Sequence, residues 1–508
     1  MLETVTSVTL LGLDAYLVRV EVAITRGTPM IQVVGLAESA VREGKERIRA
    51  AAAQLGLHIP GLRITVNLAP ADTRKHGSAF DLPILVGILA AAGQVDGRRA
   101  RRYAWVGEVG LDGSLRAVRG ALPIALRCRS EPGLEGLILP LDNLSETRPV
   151  RDFPVLGAGG LQAVLDFLRE KAPLTRSDEL KRAEPGAPGP RLDMADVRGQ
   201  ERARRALEIA AAGGHNLLLR GEPGAGKTML ARRLPTILPR MTLAEKVEVT
   251  AVHSVAGRLR PRSGLIEERP FRAPHHTISY AGLIGGGSIP RPGEASLAHR
   301  GVLFLDELPE FQRRSLEVLR QPLEEGVVSV VRARAAVTFP ARFTLVAAMN
   351  PCPCGYHGSG SGRCTCDPTV VRRYLSRISG PLLDRIDLHV DVPAVKWREL
   401  TNGRAGESSA RVRERVVEAR ARAGRRLAGK ANAEMGPEEI RQFCRLDAQA
   451  EAILRAAVER FGLSARAYHR ILKISRTIAD LGCGDKIAAD QVTEAVHYRV
   501  LDRRVEGE

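Results

Sequence analysis

The sequence predicts an α/β multidomain protein, with an α+β domain over residues 1–170, an α/β core over 193–395 and a helical domain over 396–508. Three observations predict it. The first 170 residues mix alternating strand patterns with short helical ones. An apolar triplet, Leu217, Leu218 and Leu219, leads into Gly-Glu-Pro-Gly-Ala-Gly-Lys-Thr, which fits G-x-x-x-x-G-K-[ST] at every fixed position. The last hundred residues carry apolar positions at helical spacing throughout. Between the first two units, 171–192 holds Pro173, Pro185, Pro188 and Pro190 with Gly186 and Gly189, the composition of a linker.

The chain has 508 residues, with 76 Lys and Arg against 58 Asp and Glu, a formal charge of +18. That excess favours a polyanionic partner such as nucleic acid. The first residues lack a basic n-region and a cleavage site, and the longest apolar run, 82–93, is too short for a bilayer. Seven cysteines, four of them clustered, fit reduced thiols. A cytoplasmic protein with no membrane partner is expected.

In the first domain, 5–25 reads as two strands with a turn near Gly12, and 30–34 and 64–68 as further strands. The spacing predicts helices over 39–55, ended by Gly56, and over 80–92, then a strand over 103–109. Lys75-His76-Gly77-Ser78-Ala79-Phe80-Asp81 resembles the nucleophile segment of the Lon protease fold, with Ser78 in the serine's place, and 106–113 resembles a later strand-turn of it. Aligned on Gly107 and Glu108, the activating lysine's place falls on Leu122. A serine without a base is a weak nucleophile, so a Lon-protease-like but non-proteolytic domain is expected, with Ser78 as a helix N-cap.

In the core, the loop Gly221, Glu222, Pro223, Gly224, Ala225, Gly226, Lys227 and Thr228 is expected to cradle the phosphates of ATP. Lys227 reaches the β- and γ-phosphates and Thr228 holds Mg²⁺. The apolar strand 302–305 ends in Asp306, suited to Mg²⁺, and Glu307, suited to polarising the attacking water. A further strand, 343–349, ends in Asn350. Insertions over 271–299 and 327–339 interrupt this plan, the second reading as a hairpin whose turn carries Arg332 and Arg334. His275 and His276 read as hydrogen-bonded imidazoles in a turn, since no ligand follows at i+4. Cys352, Cys354, Cys364 and Cys366 form C-x-C-x9-C-x-C, four soft ligands suited to structural Zn²⁺, with His357 as an alternative ligand.

Helices are expected over 409–425, 437–445, 447–461, 465–481 and 489–500, the first a basic face that is solvated or meets phosphates. The core resembles the AAA+ P-loop ATPases of the helicase/chelatase branch. That resemblance makes 194–200 an adenine-packing segment, Asn350 a sensor, Arg385 in Leu-Leu-Asp-Arg-Ile-Asp an arginine finger, the C-terminal helices a lid and Arg466 its γ-phosphate-sensing residue. Arg-Ala-Pro-His-His-Thr-Ile-Ser, Met-Asn-Pro-Cys-Pro-Cys-Gly and Ser-Gly-Pro-Leu-Leu-Asp-Arg-Ile-Asp resemble the YifB/ComM family of magnesium-chelatase-like ATPases. The resemblance implies a hexameric ATP-driven motor on single-stranded or branched DNA, a helicase or branch-migration factor in recombination of incoming DNA during natural transformation. Arg332 and Arg334 would then grip phosphates in the channel. The alternatives are a chelatase-like subunit driving metal insertion, a Lon-like protease, and a remodelling ATPase without DNA.

Overall fold

Two sheets organise the chain. The computed structural model describes every residue except 37, 72–74, 76, 181–191, 288–289, 333–334, 359, 361, 396–405 and 500–508, with backbone only at 39, 40, 332 and 335. The N-terminal unit begins with the hairpin β1 (Leu2–Leu11) and β2 (Asp14–Thr25), turning at Gly12, whose φ of +66° suits glycine. β3 (Met30–Val34), β4 (Arg63–Ala69) and β5 (Tyr103–Trp105) follow. A small ribbon pairs β6 (Glu108–Val109) with β7 (Leu115–Arg116). The strand expected over 103–109 is therefore broken at Val106 and Gly107. β8 (Gly136–Pro140), β9 (Val155–Ala158) and β10 (Thr175–Arg176) complete an eight-stranded sheet in the order β10-β9-β8-β5-β1-β2-β4-β3. The stretch read as linker thus starts with a strand that pairs with β9.

Alternation decides what each face of this sheet covers. Val18, Val20 and Val22 are fully buried in one cluster with helices Ser39–Gln54 and Asp81–Ala91. Val8, Ala104 and Leu137 join helix Ala121–Arg129 on the other face. Every residue of Asp81–Ala91 is buried, as expected for a helix that is apolar all round. Ser78 is not its N-cap, contrary to expectation. The Asp81 N–H goes to the Ser78 carbonyl at 3.1 Å. The Ser78 hydroxyl pairs instead with the Glu108 carboxylate. Asp81 turns inward to a bidentate pair with Arg47 at 2.7 and 3.0 Å. Leu122 is fully buried among apolar groups, and the Lys75 ammonium donates to the Pro70 carbonyl.

The core sheet is five-stranded and wholly parallel. It comprises β11 (Leu217–Gly221), β12 (Phe271–Arg272), β15 (Val302–Leu305), β18 (Thr344–Met349) and β19 (Leu388–Val392), in the order β12-β15-β18-β11-β19. Leu217 and Leu219 face one hydrophobic cluster and Leu218 the other, so both faces are covered. The ribbon β13 (Gly285–Gly286) and β14 (Arg291–Pro292) lies within the 271–299 insertion. The second insertion is the hairpin β16 (Val327–Arg332) and β17 (Ala335–Pro340), paired from Val327↔Pro340 to Arg332↔Ala335. Val328, Val330, Val337 and Phe339 turn into the core, while Val331 is 71% exposed.

The C-terminal helices are Ser409–Arg426, Pro437–Phe443, Ala448–Phe461, Ala465–Leu481 and Ala489–His497. Ser408, Asp447 and Ser464 cap three of them through their side chains. The first helix spends part of its positive charge inside the fold. Arg415 binds Glu208 at 2.6 Å, Arg420 the Ala211 carbonyl at 2.9 Å and Arg426 the buried Asp480 at 2.6 Å. These three arginines fasten the helices to the core and to each other, while Arg411, its side chain 77% exposed, and Arg425 stay at the surface. A buried relay completes the joint: Asp387 to His215 at 3.1 Å, His215 to Thr477 at 2.8 Å, and Asn432 to Thr477 at 3.1 Å. Among the described residues, no helix is long and apolar enough to cross a membrane.

The N-terminal unit also touches the core. Ala251 of helix Leu243–Val255 joins the cluster around Ala121–Arg129, and Arg262 binds Asp142 at 2.9 Å. Leu11 and Leu13 pack against the cluster holding Val337 and Phe339. A Cβ placed on Gly12 would fall 2.2 Å from a Val337 methyl group.

Candidate nucleotide site and cysteine cluster

The nucleotide site forms at the carboxyl ends of β11, β15 and β18, where ligands of parallel α/β sheets bind. After Gly221 the chain turns through Gly224 at φ +76° and Gly226 at φ +88° into helix Lys227–Ile237. Lys227 is held over this turn. Its ammonium donates to the carbonyls of Gly221 and Glu222 at 2.7 and 2.8 Å and to Asn350 Oδ1 at 3.0 Å. Burial lowers its pKa, opposed by the charges of Asp306, Glu307 and Glu222. The Thr228 hydroxyl donates to Asp306 Oδ2 at 2.7 Å. The other Asp306 oxygen accepts the Glu307 N–H at 3.0 Å. One side chain from each of β11's loop, β15's end and β18's end therefore converges on one point, and the expected Mg²⁺ pair, Thr228 and Asp306, is already in contact.

Arg385 and Arg466 lie elsewhere. Arg385 ends the turn before β19, and its carbonyl accepts from the Asn216 amide at 3.0 Å, just ahead of β11. That is the amino end of the sheet, roughly 13 Å of strand from the phosphate loop. Arg385 is only 8% exposed and pairs with Glu324. Its neighbours in the chain, Asp384 and Asp387, are engaged by the helical domain instead. Asp384 lies 3.5 Å from Arg466. Asp387 binds Arg470, and although burial pushes its carboxyl up, Arg470 and His215 hold it well below the usual carboxylate range. Arg470 is thus committed, whereas the Arg466 side chain is 69% exposed. Both arginines line a cavity of about 750 Å³ with Arg269, Arg300, Arg342 and Lys473.

The four cysteines meet. Their sulfurs all lie within 4.8 Å of one another, with Cys352–Cys354, Cys354–Cys364 and Cys352–Cys364 at 3.3, 3.7 and 3.9 Å. A tetrahedron with Zn–S bonds of about 2.3 Å has edges of about 3.8 Å, so the set fits Zn²⁺. Hydrogen bonds from the backbone N–H groups of Tyr356 and Thr365 pull the Cys354 thiol down to about 6. His357 Nδ1 stands 3.9 Å from Cys364, outside the four-sulfur set. The loop rests on the nucleotide site, since Gly355, at φ +91°, approaches Pro223 so closely that a Cβ would fall 2.6 Å from its ring. Sequence reasoning missed this contact and the Arg385–Glu324 pair. Neither carries a local signal, because the partners lie far apart in the chain. Arg334 and the Arg332 side chain lie outside the described residues, as do residues 181–191 of the expected linker.

The parallel core, its phosphate loop and the helical C-terminal region define a chelatase-like AAA+ fold. The family profile "Magnesium chelatase, subunit ChlI" matches residues 193–400, "Subunit ChlI of Mg-chelatase" 20–143 and "Magnesium chelatase, subunit ChlI C-terminal" 406–499. Competence protein ComM of Haemophilus influenzae is 46% identical over 97% of this chain and 96% of its own length. YifB of Escherichia coli is 45% identical over the same shares. The magnesium-chelatase 38 kDa subunit of Cereibacter sphaeroides is 25% identical over 30% of this chain and 51% of its own. The chain belongs to the YifB/ComM family of magnesium-chelatase-like proteins.

Proposed function

We propose that the chain is an ATPase that assembles into a hexameric ring and drives DNA through helicase or branch-migration activity, during recombination of incoming DNA in natural transformation. The observation that carries the reading is the separation of two half-sites on one sheet. Lys227, Thr228, Asp306, Glu307 and Asn350 gather at its carboxyl end, while Arg385 and Arg466 stand at its amino end. One chain cannot bring both to the same phosphate, but a ring presents each amino end to a neighbour's loop.

In this reading Lys227 and the loop N–H groups hold the phosphates, and Thr228 and Asp306 would hold Mg²⁺, which would neutralise phosphate charge. Glu307 takes a proton from water as the water oxygen bonds to the γ-phosphorus. The β–γ bridging bond breaks, and ADP leaves with its electron pair. The neighbour's Arg385 exchanges Glu324 for the γ-phosphate, and Arg466 joins it. The name of the Haemophilus influenzae relative and the +18 charge support a role with DNA. The family profiles favour a second reading, an ATPase that drives metal insertion or protein remodelling.

Steady-state ATP turnover with no DNA, with single-stranded DNA and with forked DNA separates the two. Stimulation by DNA together with fork unwinding supports the motor, and ATP turnover indifferent to every DNA supports the second reading. Glu307→Gln should bind ATP and lose at least about a hundredfold in turnover. Normal hydrolysis by that variant would put the chemistry on another residue.

A further inference from the structure

Two sets of contacts hold Arg385, and they differ in strength. The backbone of its turn is fixed from three sides. The Asn216 amide donates to the Arg385 carbonyl at 3.0 Å, Arg499 donates to the Ile386 and Asp387 carbonyls at 2.7 and 3.4 Å, and Arg470 binds the Asp387 carboxylate. Leu382 and Ile386, on either side of it in the chain, are fully buried. The guanidinium is held by less. Its Nη2 donates to Glu324, its Nη1 donates to the Pro381 carbonyl, and its Nε is buried with no hydrogen-bond partner among the described residues. The Arg385 side chain is 9% exposed and that of Glu324 56%.

Glu324 is not a loose surface acid. It belongs to helix Arg320–Glu325, which ends at Gly326 with φ +68° and runs straight into β16. The Ala341 N–H donates to the Gly326 carbonyl at 2.8 Å and closes the base of the β16–β17 hairpin. A Cβ on Gly326 would fall 2.6 Å from Arg342 Cγ, so the chain is tightly packed there. Leu323, the residue before Glu324, packs against the cluster that holds Leu382 and Ile386. The helix and the Arg385 turn are therefore seated on one apolar body, and the ion pair joins them.

We propose that Glu324 is a latch on Arg385, a positioning residue that holds the guanidinium back in the free subunit and that assembly with a nucleotide-loaded neighbour must open. This deepens the ring reading above and rests on it. A γ-phosphate and the Glu324 carboxylate are both anions that compete for one N–H fork. With Nη2 on Glu324, Nη1 on Pro381 and Nε buried, the fork has no edge left for a second anion. The turn cannot swing to offer one, because Asn216, Arg499 and Arg470 tie down its carbonyls and Asp387. Only the guanidinium can move, and only by leaving Glu324. A contact made in the free subunit and lost in the assembly opposes assembly by its own strength. The latch thus couples exposure of the arginine to the arrival of a neighbour's phosphate.

The test is a double-variant cycle on assembly, read as mass by sedimentation over a range of protein concentrations with ATP and Mg²⁺. Every protein carries Glu307→Gln, so that the nucleotide stays uncleaved. Glu324→Gln removes the charge and keeps the shape. It should lower the concentration at which half the protein is assembled by about three- to tenfold, the effect of one ion pair with an exposed partner. With Arg385→Ala the same substitution should shift nothing, since the latch has nothing to hold. Glu325→Gln removes the same charge one residue on, where the side chain bonds Gln321 at 3.0 Å, and should leave the midpoint in place. That control carries the comparison if Arg385→Ala proteins stay monomeric. Glu324→Ala is the second latch-free variant, used if glutamine lowers the melting temperature. A midpoint unchanged or raised without Glu324, a shift that persists with Arg385→Ala, or an equal shift from Glu325→Gln overturns the latch. If protein with Glu324 and Arg385 intact never assembles with ATP, the ring reading itself fails. If that protein assembles and the cycle shows no coupling, the latch alone fails.

Discussion

His299 is a base kept neutral by its surroundings. Its Nδ1 accepts the Arg342 N–H at 3.1 Å, and its Nε2 lies 3.2 Å from Glu248. Burial pushes its pKa down to about 4. The unfolded chain takes up this proton near the ordinary value of about 6.5, and the folded chain does not. Stability is therefore whole above pH 6.5 and falls as pH drops through 6.5 towards 4, by roughly 3 kcal/mol at most from this group. Chemical denaturation between pH 7 and 4.5 should show that slope, and His299→Asn should flatten it, from a lower start. An equal slope in the variant would assign the acid loss to other groups. At this scale the phosphate-loop residues, Asp306 and Glu307 were legible, because each is fixed by neighbours in its own string. The roles of Ser78 and Glu324 were not. Their partners, Glu108 and Arg385, lie 30 and 61 residues away.

The cysteine loop and the hairpin are the two elements that carry predictions of their own. The sulfur spacing fits one Zn²⁺ per chain, and Gly355 rests on Pro223. Elemental analysis of protein purified without chelator should find that ratio, and stripping the metal should weaken nucleotide binding as well as release four reactive thiols. Metal near zero with four freely titrating thiols ends the proposal, and unchanged ATP affinity after stripping ends its link to the loop. In the hairpin, Arg332→Ala with Arg334→Ala should keep ATP binding but lower the salt dependence of DNA binding and abolish unwinding. Normal unwinding moves the grip elsewhere. The hairpin's span was legible, but its buried face was not. Valines at 327, 328, 330 and 331 make both faces look alike, and only the insertion's cluster selects Val328 and Val330. The basic helix Ser409–Arg426 was only partly legible for a related reason. Its charge was plain, while the carbonyl and carboxylates that engage Arg415, Arg420 and Arg426 belong to other elements.

At the scale of the whole molecule, the proposed ring makes a prediction that joins Arg385 to Glu307. Arg385→Ala and Glu307→Gln proteins should each be inactive alone. Mixed one to one, about a quarter of interfaces pair an intact Glu307 with an intact Arg385, so turnover should partly return. No recovery, in rings shown by mass to be mixed, would place Arg385 outside the reaction. The separation itself could not be read from the string, because it depends on register. Leu388 pairs with Leu217 rather than with the end of β11.

The contact at Gly12 has a mechanical consequence. The tip of β1–β2 bears on Val337 with no room for even one methyl group between them. Two long antiparallel strands, meeting from Leu2↔Ala23 to Leu11↔Asp14, form a stiff arm behind that tip. A swing of the β16–β17 hairpin in that direction must push the arm and the eight-stranded sheet it belongs to. The N-terminal unit thus shares a tight joint with the hairpin, and a bulkier residue at position 12 would have to displace Val337 to keep it.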